Sequence, residues 1–492
     1  MELLQISVLL SLCALTLCWA ARHYNFPYPI ALVIGGGMLG FVPLASTLPF
    51  DPELILFLVL PPILYQAAVL TSWRDFALQI RTIGLLAVGL VVVTTLAVGG
   101  ALKLLLPEIP WSAAFVFGAI VSPPDAVAAT AILSRMNIPR RVVTVLEGES
   151  LVNDAAALVL YKFAVAAVLT GTFSLFDASL QFAGVAAGGV ALGVLVGLVF
   201  IVIHRRLGDV LIEVMVSLLV PYVAYVVAES LHASGVLAVV AAGLVRGRHA
   251  PVVASAEMRI LSRSIWNVLV FLLNMLVFVL IGLQLSGNIE RLDGYSAARL
   301  AGEGILLSAV AILVRFAWVY AALYLPRIVS AALRRSEAAQ PKAEIFIMGW
   351  CGMRGIVSLA AALALPIALA DGTPFPYRDA MIFFTFVVIA VTLVLQGSTL
   401  PVLIRKLRVG KDWSLQEERE NARNAMRRAA AGVSGALAPE EGPTAPDLGQ
   451  RVRSATIDAE REELIRIWRD SQISDQVLHE FEEELDYRES HP

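Results

Sequence analysis

The stretch GESLVNDAAALVL, from Gly148 to Leu160, decides how the rest of the chain is read. Its second half is small and apolar, as a lipid-embedded or deeply buried helix would be. Its first half carries Glu149, Ser150, Asn153 and Asp154. A charged side chain at the centre of a bilayer costs about 2.5–3.5 kcal/mol on insertion scales, so acids placed there are expected to have a task. Helical spacing stacks Asn153 on Glu149 and Asp154 on Ser150, in two adjacent columns on one flank. Interhelical hydrogen bonds alone would account for Ser150 and Asn153. They account poorly for two carboxylates, which in a structural role should each have a base. Asp154 and Ser150 together offer the hard oxygens that a small group-one cation requires.

The surrounding composition supports a membrane setting. Hydrophobic residues make up 58% of the chain, charged residues 16%, and the mean hydropathy is +0.77, which excludes an ordinary soluble protein. Apolar segments of roughly 20 residues recur about thirteen times between residues 3 and 403, predicting an all-α polytopic membrane protein. Basic residues such as Arg140, Arg141, Arg205 and Arg206 alternate along the chain with acidic connections holding Asp51, Glu53, Glu108 and Asp379. The basic set marks the cytoplasmic side, so the N-terminus is expected outside and the C-terminus inside. Composition changes after Arg405, which predicts a transmembrane domain over 1–405 and a cytoplasmic helical tail over 406–492, with a linker at APEEGPTAPD, residues 438–447. The tail reads as a packing or dimer-supporting segment. Cys13, Cys18 and Cys351 lie in apolar runs and read as buried thiols.

Two spans are predicted to be broken. In VSPPDAVAAT the rings of Pro123 and Pro124 remove two amide donors and clash with the preceding turn, and Asp125 follows at once. A proline kink is common, but unwound backbone beside a carboxylate at mid-membrane is tolerated only against protein or a wet cavity. In WCGMRGIVSLAAALALP, Gly352 and Gly355 flank Arg354. Broken helices at corresponding places in two halves point to an inverted-repeat transporter with its site at the crossing. Arg315, in the middle of AILVRFAWVY, demands a buried acid partner. Asn274 is expected to make an interhelical hydrogen bond, His232 to be structural, and Glu213 and Glu229 to be interfacial. Lys162 is left between pairing with a carboxylate and reaching a cavity.

GESLVNDA, preceded by SPPDAVA and followed by GMRGIVSLA, resembles the monovalent cation:proton antiporter-1 family, the NhaP-type sodium/proton exchangers. The resemblance covers all the spans in order, and the ending SDQVLHEFEEELDYRE is similar to the tails of bacterial members. It implies a homodimer in the cell membrane, in which a six-helix core moves against a dimerisation domain like an elevator. By position, Asp154 matches the ion- and proton-binding aspartate, Ser150 a hydroxyl ligand and Asn153 its neutral neighbour. Glu149 and Arg315 match a buried ion pair, and Asp125 the acid at the crossing of the broken helices. Two positions depart from the pattern. Pro124 replaces a frequent threonine, leaving its backbone carbonyl as the ligand. Gln66, in PPILYQAA, stands where several relatives carry a glutamate lining the site.

The expected function is exchange of Na⁺, with Li⁺ or K⁺ as alternatives, for H⁺. With Glu149 held by Arg315 and Asn153 neutral, Asp154 alone carries one cation or one proton, so exchange is expected to be electroneutral. No cofactor, nucleic acid or catalytic activity is expected. A sodium-coupled solute symporter on the same scaffold is the alternative; an intramembrane aspartyl protease using Asp125 and Asp154 would want a GxGD signature, which is absent.

Overall fold

The apolar segments fold into helices, and the helices end where the sequence supplies proline, glycine or charge. The computed structural model describes residues 2–24, 26–40, 52–133, 136, 138–171, 175–253, 255–290, 296–329, 340–369, 372–409, 413–437 and 448–490. In chain order the helices are α1 (Glu2–His23), α2 (Tyr28–Gly40), α3 (Pro52–Leu70), α4 (Trp73–Leu78), α5 (Ile80–Leu105), α6 (Trp111–Val121) and α7 (Ala126–Leu133). They continue with α8 (Arg140–Thr170), α9 (Leu175–His204), α10 (Val210–Ser230), α11 (Gly235–Val253), α12 (Ala256–Glu290) and α13 (Ala297–Val329). The last are α14 (Lys342–Trp350), α15 (Ile356–Leu363), α16 (Arg378–Leu407), α17 (Trp413–Leu437), α18 (Leu448–Arg469) and α19 (Asp475–Ser490).

Among the described residues seven helices, α5, α8, α9, α10, α12, α13 and α16, are long and apolar enough to cross a membrane; α2, α6 and the end of α3 are shorter apolar helices. The chain is thus an all-helical, multi-pass membrane protein. The predicted second span, 27–46, runs into residues 41–51, and the linker at 438–447 likewise lies outside the described residues.

The helices pack as two bundles. In the first, α5, α6 and α8 are followed much later by α13, α14–α15 and α16, so a long helix, an interrupted helix and a long helix occur twice in the same order. These elements pack on one another around Phe117, Phe384, Ile347 and Met381. In the second bundle α2 lies along α12 while α3, α9, α10 and α11 pack together around Tyr65, Ala224 and Val239. The bundles meet where α3 and α12 face α8 and α15. Beyond α16, the helices α17, α18 and α19 close over a small core of their own, including Met426, Leu464 and Phe481. α19 also rests on α12.

Candidate ion-binding site

Both predicted breaks are present, and they touch. Pro123 and Pro124 separate α6 from α7, and residues 351–355 separate α14 from α15. The Asp125 amide donates to the Met353 carbonyl at 2.6 Å, so one unwound segment satisfies a backbone group of the other. The crossing presents two half-helix starts and two half-helix ends. Asp125 stands at the starts: its Oδ1 accepts from the Val127 amide at 2.8 Å in the first turn of α7. Its Oδ2 is buried against Gly355, the residue capping α15, where an added Cβ would overlap the carboxylate. Arg354, fully buried, stands at the ends: its Nε donates to the Val121 carbonyl closing α6 at 3.0 Å, and its Nη1 to the Gly352 carbonyl after α14. An anion at helix N-termini and a cation at C-termini oppose the partial charges that broken helices leave exposed. That arrangement is why a charge of each sign is stable here.

The ion pair that Arg315 demands is also present. Glu149 and Arg315 are 1% and 0% exposed, and they meet through two bonds of 2.5 and 3.0 Å. Arg315 also donates from Nε and Nη2 to the Met348 carbonyl in α14, at 3.3 and 3.1 Å. A Cβ at Gly352 would strike the Arg315 side chain, so glycine at that position leaves the guanidinium its space. The pair joins α8, α13 and α14 and leaves Glu149 no spare charge for an ion.

Asp154 is placed differently. It lines a cavity of about 290 Å³ between the two bundles. The carboxylate is 7% exposed, and among the described residues it has no hydrogen-bond or ion-pair partner. Ser150 lines the same cavity one turn away, with Gln66 from α3 and Pro123, Pro124 and Asp125 from the break. Asn153 lies behind this wall: its Nδ2 donates to the Pro124 carbonyl at 3.0 Å. The oxygen expected to face an ion is therefore already engaged on one side, though a carbonyl has a second lone pair.

Several buried oxygens in and beside this space have no hydrogen-bond partner among the described residues: Asp125 Oδ2, Asn153 Oδ1, Ser358 Oγ and Asn274 Oδ1. Buried polar atoms are nearly always satisfied, and a cluster of unsatisfied hard oxygens is where a cation or water fits. Asn274 thus departs from its expected interhelical bond and borders the cavity instead. Lys162 pairs with Glu229 at 3.2 Å at the exposed surface. Sequence reasoning passed over Glu147, Asn267 and Ser358, all of which line the cavity. Glu147 could have been found, since positions 147, 150 and 154 share one face of α8.

Crossed half-helices stabilised by Asp125 and Arg354, beside an unpaired aspartate in a cavity between two bundles, define a secondary transporter of small ions. The family model described as "Sodium/hydrogen exchanger, transmembrane" matches residues 8–406, and the chain belongs to that family. An uncharacterized Na⁺/H⁺ exchanger of Mycobacterium bovis is 36% identical over 466 residues, covering 90% of this chain and 85% of its own. A sodium, potassium, lithium and rubidium/H⁺ antiporter of Bacillus pumilus is 37% identical over 392 residues, 77% of this chain and 58% of its own. The structure of the sodium proton antiporter MjNhaP1 from Methanocaldococcus jannaschii superposes with a TM-score of 0.63 at 20% identity, over 83% of this chain and 99% of its own. At that identity the likeness speaks for the fold. The family decides for cation/proton exchange and against the symporter alternative.

Proposed function

We propose that this protein exchanges one monovalent cation for one proton across the cell membrane, with Asp154 binding either but never both. Na⁺ is the expected cation, with Li⁺ and K⁺ as further substrates, as the name of the Bacillus pumilus relative suggests. The observation that carries this reading is that Asp154 alone of the GESLVND acids is both unpaired and on the cavity, while Glu149 is held by Arg315. Ser150, the Pro124 carbonyl and Asp154 supply the oxygens, with Gln66 completing the lining from α3. Glu147, on the same face of α8, would draw cations toward the site. Asp125 and Arg354, with Pro123, Gly352 and Gly355, keep the crossing rigid around the ion.

Charge patterning supports about thirteen spans, with the N-terminus outside and the C-terminus cytoplasmic. A transmembrane unit over 1–405 and a tail over 406–492 follow the same composition change. The cavity lies on the seam between the bundles, which supports the bundle holding Asp154 moving against the bundle holding α3 and α12. A homodimer formed through the second bundle would hold that bundle still in the membrane. The test is a proteoliposome loaded with a pH-sensitive dye and challenged in turn with Na⁺, Li⁺ and K⁺. Cation-dependent alkalinisation or acidification of the lumen is expected, and no cation-driven proton movement with any of the three would overturn the proposal.

A further inference from the structure

A second buried polar cluster lies outside the ion site, where the tail meets the membrane helices. A cavity of about 100 Å³ there is bordered by Tyr65 and Gln66 of α3, Arg246 of α11, Arg259 and Arg263 of α12, and His479 and Glu482 of α19. Gln66 borders both this cavity and the one holding Asp154. α19 is clamped at this joint. Arg259 grips Asp486 through two nitrogens, Arg263 meets Glu483 at 2.5 Å, and Arg74 donates to the Ser471 carbonyl at 2.8 Å.

Glu482 sits in the middle of the clamp and belongs to none of these pairs. It is 1% exposed, and among the described residues neither of its oxygens has a hydrogen-bond partner. The arginines near it are already committed: Arg259 to Asp486, Arg263 to Glu483, and Arg461 of α18 to Asp486 and Glu489. Across the cavity Arg246 Nη1 and the Tyr65 hydroxyl are also without partners. A charged carboxylate without hydrogen bonds in such a place is costly, whereas a protonated one is not.

We propose that α19 is a proton-operated latch: protonation of Glu482 seats the tail on α12, and loss of that proton to cytoplasmic water lets the tail go. The tail is continuous with α16 of one bundle and salt-bridged to α12 of the other, so a seated latch straps together the two bodies that must move past each other. This regulatory consequence rests on the exchange function proposed above; the latch itself does not.

The sign follows from linkage. Burial raises the seated Glu482 carboxyl from 4.5 to about 7, so seating gains as pH falls from about 7 toward 4.5 and is weakest above pH 7. Burial lowers His479 from 6.5, with Asp475 opposing that shift and Arg263 and Arg259 assisting it, so acidification through 6.5 acts against seating. Between pH 8 and pH 6.5, Glu482 tightens seating about fourfold and His479 loosens it by at most about twofold, so the net effect is a tightening.

Hydrogen exchange on the full-length protein in nanodiscs measures this directly, as protection of the Asp475–Ser490 amides corrected for intrinsic rates. Wild type is expected to be more protected at pH 6.5 than at pH 8, and His479→Gln more so, by about fourfold. In Glu482→Gln and Glu482→Met, both uncharged at every pH, the trend should reverse, because only His479 still titrates; either variant suffices if the other fails to fold. An unchanged pH trend in a folded Glu482 variant, or none in wild type, would overturn the latch. Glu482→Gln should also exchange ions more slowly than wild type at pH 8. Equal rates would overturn the regulatory role while leaving the latch standing, and a wild type that moves no ions would sink the exchange proposal alone.

Discussion

Replacing Glu149 by glutamine removes one charge from a pair that no water reaches. Arg315 is 0% exposed and Glu149 1%, and their two bonds of 2.5 and 3.0 Å tie α8 to α13. In Glu149→Gln the guanidinium keeps the Met348 carbonyl at 3.1 Å, which satisfies donors but supplies no counter-charge. Breaking a buried pair from one side costs about 3–5 kcal/mol, because the remaining ion stays desolvated. Removing both charges in Glu149→Gln with Arg315→Gln should recover part of that loss, since no unpaired charge then stays buried. The assay is thermal unfolding of the detergent-purified protein, comparing wild type, the single variant and the double variant. The single variant is expected to melt well below wild type, with the double variant between them. A single variant as heat-stable as wild type would refute the reasoning that this pair holds the bundle together.

Asp154→Asn should leave a folded protein with wild-type thermal stability but abolish cation-driven proton movement in proteoliposomes, because the unpaired carboxylate on the cavity is gone. Asn153→Asp should be inert or nearly so in the same assay. The amide that donates to the Pro124 carbonyl at 3.0 Å would become an acid facing that oxygen, and it would have to keep its proton beside Asp154. Gly355→Ala should lose most transport and some stability, since the new methyl group would occupy the place of the Asp125 carboxylate. Transport rate and melting temperature measured on the same preparation separate these outcomes.

Much of this was legible in the sequence because membrane physics leaves few solutions. Two adjacent prolines inside an apolar span announce a break at 123–124 without any structure, and Arg315 at mid-span announces an acid partner. The partner could be narrowed to Glu149 only by likeness to a family, because separation along the chain carries no geometry. The role of Arg354 was not legible: a glycine-flanked arginine marks a break, but its bond to the Val121 carbonyl depends on how two half-helices cross. Asn274 was misread for a related reason. An asparagine in a span usually finds a neighbour, and only the shape of the seam between bundles shows its oxygen beside the cavity. In the tail, Leu464, Ile467, Val477 and Phe481 close a small core, yet Glu482 reads as one more solvated acid in FEEELD until α19 is laid on α12.

The central claim is that one carboxylate, Asp154, carries one cation one way and one proton the other. Its most direct test is the null point of exchange in proteoliposomes holding opposed sodium and pH gradients. One-for-one exchange predicts that proton movement stops when the sodium and proton concentration ratios across the membrane are equal, and that a membrane potential imposed with a gradient of a permeant anion such as thiocyanate does not move this point. A null point at unequal ratios that shifts with the imposed potential would mean that a second charge travels with the ion, and would contradict the account.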